Sequence, residues 1–186
     1  GHCPDRYVIT TTYGQSLADD FGRKVRNQIK DTLFQEIFPE ARMTDDTAAA
    51  NRFMTTKGGA YFAVGAGGAI TGRGGHLLVI DDIFKNREEA DSLAVRDGRI
   101  EWYRSVAYTR LMPDGAVVIV TTRWGEDDLV GHVLKNNAHE NWTVINLPAM
   151  DEKENALWPE KYPAKTLAAI KATTEEYDWN CLYQQN

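Results

Sequence analysis

Two adjacent carboxylates, Asp81 and Asp82, directly follow the apolar run Leu77–Ile80. An apolar strand that ends in two acids is typical of the Walker B motif of P-loop nucleotide triphosphatases. In that motif the first carboxylate holds a hydrated Mg²⁺ that bridges the β- and γ-phosphates, and the second orients or deprotonates the attacking water. Most such enzymes carry glutamate at the second position, so the shorter Asp82 would have to reach further. An acidic turn at the end of a strand is the alternative interpretation.

A glycine-rich segment, Gly65–Gly75, precedes this acidic strand. It is not a Walker A loop, because no Gly-Lys-Ser or Gly-Lys-Thr triplet occurs in the chain. It is not a dinucleotide fingerprint either, because that fingerprint follows a strand and this segment precedes one. On residue types alone, a flexible connector is the alternative. Arg73 lies within the segment, and an arginine beside the acidic strand could reach a neighbouring subunit's γ-phosphate as an arginine finger.

Two hydroxyls and a guanidinium follow a second apolar run, Ala116–Val120. Thr121 and Thr122 at the end of a strand could sense phosphate and pass movement to the next segment. Hydrogen bonding at the strand end is the alternative for both threonines. Arg123 could pair with phosphate, or with one of the two aspartates.

The elements that must position these groups alternate between strands and helices. Such alternation predicts an α/β fold with a mainly parallel sheet, in which functional groups gather at the carboxyl ends of the strands. The two apolar runs lack alternation, which indicates strands covered on both faces. The predicted strands are Tyr7–Tyr13, two short ones in 51–64 with a hairpin at 57–59, 77–80, 116–120 and 142–147. The first predicted helix begins at Ser16, with a capping pair to Asp19. Further helices are predicted at 88–111, with a break at Gly98, and at 128–134, 164–171 and 175–183.

Composition, net charge and absent motifs exclude several classes of protein. The chain has 186 residues, 42% hydrophobic and 26% charged, which is typical of a globular protein. No apolar run approaches the ~20 residues of a membrane span. The net charge of −6 disfavours a protein that coats DNA with its whole surface. Cys3 and Cys181 form no metal or disulfide pattern, which indicates a reducing cytosol. HExxH and GxSxG motifs are absent from the sequence.

Taken together and in order, the motifs resemble the ATPase region of the large terminase subunit of tailed bacteriophages and related prophages. The resemblance covers nearly the whole chain and rests on these segments: Thr71–Asp82, Lys85–Ser92, Thr109–Gly115, Val120–Trp124, Leu157–Tyr162 and Trp179–Gln185. It implies an additional-strand P-loop fold related to helicases, with a mainly parallel sheet flanked by helices. It also implies a small helical C-terminal lid or linker.

The resemblance also implies roles for individual residues. Asp81 stands at the position of the Mg²⁺-holding aspartate, and Asp82 at the position of the catalytic carboxylate. Thr121 and Thr122 match the motif that couples hydrolysis to DNA movement. Arg73 lies in the loop where the family places a candidate trans-acting arginine. Arg123 remains a further candidate for contacting phosphate.

The family's domain organisation implies that residues 1–147 are a partial ATPase core and 148–186 a lid or linker. The phosphate-binding Walker A segment is expected before Tyr7, and an RNase H-like endonuclease after Asn186. The P-loop strand is an inner strand in the family, so its position in this sheet is expected to be vacant. We therefore expect this chain alone to bind ATP poorly and to lack appreciable hydrolysis.

The resemblance implies ATP and Mg²⁺ as cofactors. It further implies double-stranded DNA, the portal protein and the small terminase subunit as partners, and a homo-oligomeric ring with no membrane association. The place of action would be the host cytoplasm, transiently at the procapsid portal. Two alternatives stay open: a prophage remnant that binds partners without hydrolysing ATP, and a helicase-like ATPase outside packaging.

Overall fold

A mixed six-stranded sheet lies in the first of two compact units, Gly1–Thr121 and Thr122–Asn186. The computed structural model describes residues 2–70, 72 and 74–185. The strand order is β2-β3-β4-β1-β5-β6. Strands β4, β1, β5 and β6 run parallel, whereas β2, β3 and β4 pair antiparallel. The strands are β1 Tyr7–Thr12, β2 Met43–Ala49, β3 Arg52–Thr55, β4 Ala60–Gly65, β5 Gly75–Asp81 and β6 Leu111–Val120.

The helices of the first unit are α1 Gln15–Lys30, α2 Thr32–Ile37, α3 Arg87–Asp91 and α4 Leu93–Trp102, followed by single turns at Tyr103–Ala107 and Tyr108–Arg110. The second unit holds α5 Leu129–Asn136, α6 Ala164–Thr173 and α7 Glu176–Trp179, with turns at Ala138–Glu140 and Asn180–Gln184. The predicted α/β class with a mainly parallel sheet is confirmed. The predicted boundary after residue 147 stays a prediction.

Strand β6 is the main correction to the predicted sheet. We expected residues 116–120 to be covered on both faces, but β6 is an edge strand among the described residues. Its residues alternate between half-buried and exposed, and the side chains of Val118 and Val120 are 44% and 53% exposed. A parallel strand is covered on both faces only when it has neighbours and helices on all sides.

The strand predicted at 142–147 does not form. Val144, Ile145 and Leu147 are exposed, and the segment has no regular secondary structure. A β-strand needs a neighbouring strand to pair with, so an apolar pattern alone does not produce one. Conversely, β2 was missed because its sequence, MTDDTAA, is polar and carries little strand signal. The predicted hairpin at 57–59 is confirmed, with Gly58 in the left-handed region at φ +85°.

Helix α1 packs on the face of the sheet formed by Phe53, Tyr61 and Ala63 through its buried Ala18. The predicted capping pair of Ser16 and Asp19 was wrong, because the helix begins at Gln15 after Gly14 without a side-chain cap. Gln15 instead bonds to β4: its Oε1 accepts from the Gly65 amide at 3.0 Å, and its Nε2 donates to the Ala63 carbonyl at 3.3 Å. This contact ties the start of α1 to the carboxyl end of β4.

The long helix predicted over 88–111 is broken at Ser92 and not at Gly98, which lies inside α4. Asn86 caps α3, since its side chain accepts from the Glu89 amide. Beyond α4 the chain continues through a wider π-helical turn and a tighter 3₁₀ turn to Arg110. The buried side chains of the 88–111 stretch are Ala90, Trp102, Tyr103 and Ala107.

The second unit has its own small core of Met150, Leu167 and Trp179. The Trp179 and Tyr183 rings stack with centroids 4.8 Å apart. The helices predicted at 164–171 and 175–183 correspond to α6, and to α7 with the turn that follows it. Among the described residues of either unit, no helix is long and apolar enough to cross a membrane.

Candidate nucleotide and metal site

Parallel pairing places the acidic pair beside the end of β6. Asp81 lies opposite Val120 in the register of β5 and β6, and Thr121 is the next residue after that strand. Asp81 and Thr121 therefore follow neighbouring strands at one edge of the sheet. This confirms the expectation that both apolar runs are strands of a mainly parallel sheet, and the structure adds that they are neighbours. Carboxylate and hydroxyl oxygens at such an edge are suited to a hard cation and a phosphate.

The backbone of Asp82 is held from both sides. Its amide donates to the Val120 carbonyl at 2.9 Å, and its carbonyl accepts from the Tyr13 amide at 3.0 Å. These bonds join the ends of β6 and β1 to the residue that follows the acidic strand β5. Asp82 itself adopts a left-handed conformation with φ 44°. That conformation costs energy in a non-glycine residue and persists where the surroundings enforce it, often at functional sites.

Burial and a neighbouring charge both disfavour ionisation of Asp81. Burial raises the pKa of the half-buried Asp81 carboxyl, and the neighbouring charge of Asp82 raises it further. A divalent cation at this edge would remove both penalties. Among the described residues, no group of three or more His, Cys, Asp or Glu side chains could hold a metal. Two carboxylates nevertheless fit Mg²⁺, which keeps several waters and takes its remaining ligands from phosphates.

The glycine-rich segment begins at this same edge. The Ala66 amide donates to the Thr12 carbonyl at 2.7 Å, which continues the contact between β4 and β1 beyond the strands. Two side chains of α4 reach the segment: Arg99 donates to the Ala66 carbonyl at 2.5 Å and Trp102 to the Gly68 carbonyl at 2.9 Å. The candidate finger Arg73 lies outside the described residues. Its role stays a prediction.

Arg123 has a partner that the sequence interpretation did not consider. Its Nε donates to Asp128 Oδ2 at 2.8 Å within the second unit. Asp128 is buried and caps α5 by accepting from the Gly131 amide at 2.8 Å. The signal for this pair was an acid at the start of the helix predicted over 128–134. The predicted catalytic roles of Arg123, and the coupling roles of Thr121 and Thr122, stay predictions.

Glu89 belongs to the start of α3. Its Oε2 accepts from the Lys85 amide at 3.1 Å and lies 3.9 Å from the guanidinium of Arg99. Arg99 is the residue at this edge that sequence analysis missed. Nothing in its local sequence distinguishes it from the other arginines of the same predicted helix.

The fold and this edge define a class of protein: an α/β domain with a mostly parallel six-stranded sheet, closely similar to a terminase ATPase domain. The crystal structure of the HK97 bacteriophage large terminase matches with a TM-score of 0.60 and 13% sequence identity, over 98% of this chain and 40% of that one. The chain thus spans about 40% of the length of that terminase. No curated protein sequence matches it.

A family model narrows the class to one family. The model described as "Terminase large subunit, T4likevirus-type, N-terminal" matches residues 7–180. The chain belongs to the large terminase subunit family, and the match lies in the family's N-terminal region.

Proposed function

We propose that this chain is the ATP-hydrolysing region of a motor that packages double-stranded DNA into procapsids. Its membership of the large terminase family supports a component of such a motor. The observation that carries the catalytic part is the register of β5 and β6, which brings Asp81 and Asp82 to the edge where Thr121 follows β6. A helicase-like ATPase outside packaging is disfavoured, because the family match spans 7–180.

Each candidate site residue has a defined task in the proposed reaction. Mg²⁺, when bound, would offset the negative charge of the ATP phosphates. Asp81 holds that ion, and Asp82 accepts a proton from the water that attacks the γ-phosphorus as its bond to the β–γ bridging oxygen breaks. Arg73, from a neighbouring subunit, and Arg123 stabilise charge on the transferred group. Thr121 and Thr122 pass the loss of the γ-phosphate on to DNA movement.

The phosphate-binding lysine must come from outside this sequence, because the chain contains no Gly-Lys-Ser or Gly-Lys-Thr triplet. We propose that a Walker A segment elsewhere in the protein supplies it. We further propose that the whole protein carries an RNase H-like endonuclease and works as a homo-oligomeric ring in the host cytoplasm. Its partners would be the portal protein and the small terminase subunit. Residues 148–186 would form the lid or linker toward the nuclease.

The central experiment is the variant Asp82→Asn in the full-length protein. We expect ATP hydrolysis to be abolished while Mg²⁺-ATP binding, measured by calorimetry, is largely retained, because the variant loses only the proton acceptor. Asp97→Asn, at an exposed position of α4, is the matched control and should hydrolyse ATP like the wild type. Turnover at the wild-type rate in Asp82→Asn would refute the assignment and make Glu89 the next candidate.

A second candidate function is a partner-binding module that does not hydrolyse ATP. The missing Walker A triplet is the observation that favours it. The two functions differ in one measurement: Mg²⁺-ATP turnover by the full-length protein. Turnover that depends on Asp81 supports the motor, whereas its absence in an intact, ring-forming protein supports the binding module. For the 186-residue chain by itself we expect no appreciable turnover, and hydrolysis that depends on Asp81 would contradict this.

A further inference from the structure

One guanidinium in α4 connects three separate segments at the acidic edge of the sheet. Arg99 Nη1 donates to the Ala66 carbonyl at 2.5 Å, and Nη2 donates to the Tyr13 carbonyl at 3.5 Å. Nη2 also lies 3.9 Å from Glu89 Oε2, and the Arg99 side chain is 19% exposed. The three partners follow β4, follow β1 and lie in α3. A planar guanidinium with five donors can serve all of them at once, which an ammonium group cannot.

The segment contacted by Arg99 after β1 is the one that holds Asp82. The Tyr13 carbonyl accepts from Arg99, while the Tyr13 amide donates to the Asp82 carbonyl at 3.0 Å. A single residue thus transmits the position of the guanidinium to the strained backbone of Asp82. The Ala66 amide is bonded to the Thr12 carbonyl at 2.7 Å, so the partner on the β4 side is fixed to β1 as well.

The glycine-rich segment is shaped to admit this guanidinium. Gly67 has φ +86°, and a Cβ at this position would lie 3.2 Å from Arg99 Nη1. Both the conformation and the close contact favour glycine there. One turn further along α4, Trp102 Nε1 donates to the Gly68 carbonyl at 2.9 Å. Two side chains of α4 therefore bond to carbonyls on either side of Gly67.

We propose that Arg99 is a positioning residue of the ATPase site. It holds the start of the glycine-rich segment, 65–68, against the end of β1 and thereby keeps Asp82 in its left-handed conformation. The effect of Arg99 on turnover rests on the proposed function, whereas its hold on the three segments does not. A purely structural arginine would contribute to the stability of the whole unit, whereas a positioning residue controls Asp82 and the turnover that depends on it.

Two variants separate these roles, and a third is the control. Arg99→Met keeps the length of the side chain and removes all its donors. Gly67→Ala disturbs the same contact from the other side and keeps the guanidinium. Arg96→Met is the matched control, because Arg96 lies on the same helix and donates to the Ala90 carbonyl at 3.5 Å, away from β1 and β4.

The first measurement is amide hydrogen exchange on this chain. Loss of a hydrogen bond to a charged group in Arg99→Met should speed exchange of the Tyr13, Ala66 and Gly68 amides by about 10- to 100-fold. Amides in the middle of β1 and β5 should be unchanged, and Gly67→Ala should affect the same three amides. Faster exchange throughout the unit, or no change at the three amides, would overturn the proposal. If Arg99→Met does not fold, Gly67→Ala decides.

The second measurement is ATP turnover by the full-length protein. Displacement of Asp82 should lower kcat by about 10-fold or more in Arg99→Met, with little change in KM for Mg²⁺-ATP, and Arg96→Met should match the wild type. An unchanged kcat in a variant whose three amides exchange faster would overturn the catalytic role. If the wild-type protein does not hydrolyse ATP, the proposed function fails, and the exchange pattern still decides whether Arg99 holds the three segments.

Discussion

The amide of Asp82 donates a hydrogen bond to the carbonyl of Val120 at 2.9 Å, so the acidic pair is bound directly to the end of the neighbouring strand. Thr121 follows that strand end. A shift of β6 along β5 would therefore change the position of Asp82 and Thr121 relative to each other. The proposed coupling of the acidic pair to Thr121 would act through this bond.

Two glycine-to-alanine variants should have opposite effects on stability. In α1, a Cβ at Gly22 would lie 2.0 Å from the Ala50 carbonyl oxygen, a backbone atom that cannot move away cheaply. We expect Gly22→Ala to lower the free energy of unfolding by about 2 to 3 kcal/mol, despite the better helix propensity of alanine. In α4, a Cβ at Gly98 would meet nothing within 4 Å. Gly98→Ala should raise the free energy of unfolding by about 0.5 to 1 kcal/mol. Urea titration measures both changes, and equal effects would contradict the packing of α1.

The edge strand β6 should promote self-association of the chain. Val118 is 44% exposed, and a long apolar edge strand is a site for pairing with another chain. We expect Val118→Lys to lower the fraction of oligomer in light scattering and to change the free energy of unfolding by less than about 1 kcal/mol. The matched variant Val117→Lys changes the half-buried neighbour on the other face of the strand. It should lower the free energy of unfolding by about 1 to 3 kcal/mol. Self-association that is unchanged in Val118→Lys would show that another surface is responsible.

The buried carboxylate of Asp128 should be a main stabilising group of the second unit. It accepts from Arg123 Nε at 2.8 Å and from the Gly131 amide at 2.8 Å. We expect Asp128→Ala to lower the free energy of unfolding by about 2 to 4 kcal/mol, because it removes a helix cap and leaves the Arg123 guanidinium without this carboxylate. Asp127→Ala, at the exposed neighbouring position, should change stability by less than about 0.5 kcal/mol. A double-mutant cycle with Arg123→Met measures the coupling, and additive effects would show that the ion pair contributes little.

The raised pKa of Asp81 should make stability depend on pH. In the folded chain, burial and the charge of Asp82 raise the pKa of Asp81 above 3.8, its ordinary value. The folded state then binds more protons than the unfolded state as pH rises from 3.8 through the raised pKa, so the contribution of Asp81 to stability falls over that interval. Urea titrations in EDTA should show that Asp81→Asn removes this fall and is more stable than the wild type at neutral pH. Asp97→Asn, at an exposed position, is the control. A variant less stable than the wild type at neutral pH would contradict the interpretation.

Several features follow directly from local sequence. The apolar run before Asp81 and Asp82 indicated a strand with acids at its carboxyl end, and β5 confirms the strand, with Leu78 and Ile80 buried and Leu77 and Val79 half-buried. Patterns of this kind depend on neighbouring residues, which the sequence displays. The order of the motifs also pointed to the family to which the chain belongs.

Tertiary structure alone decided which strands have neighbours and which distant groups meet. Strands were predicted at both 116–120 and 142–147, yet the first pairs with β5 and the second forms no strand, because a strand requires a partner. Arg99 contacts Ala66 and Tyr13, residues 33 and 86 positions away, and no local pattern specifies such contacts. The sequence by itself thus determined the chemistry available at the strand ends. Packing decided how the backbone of Asp82 is held, because the bonds that hold it come from strands far apart in the chain.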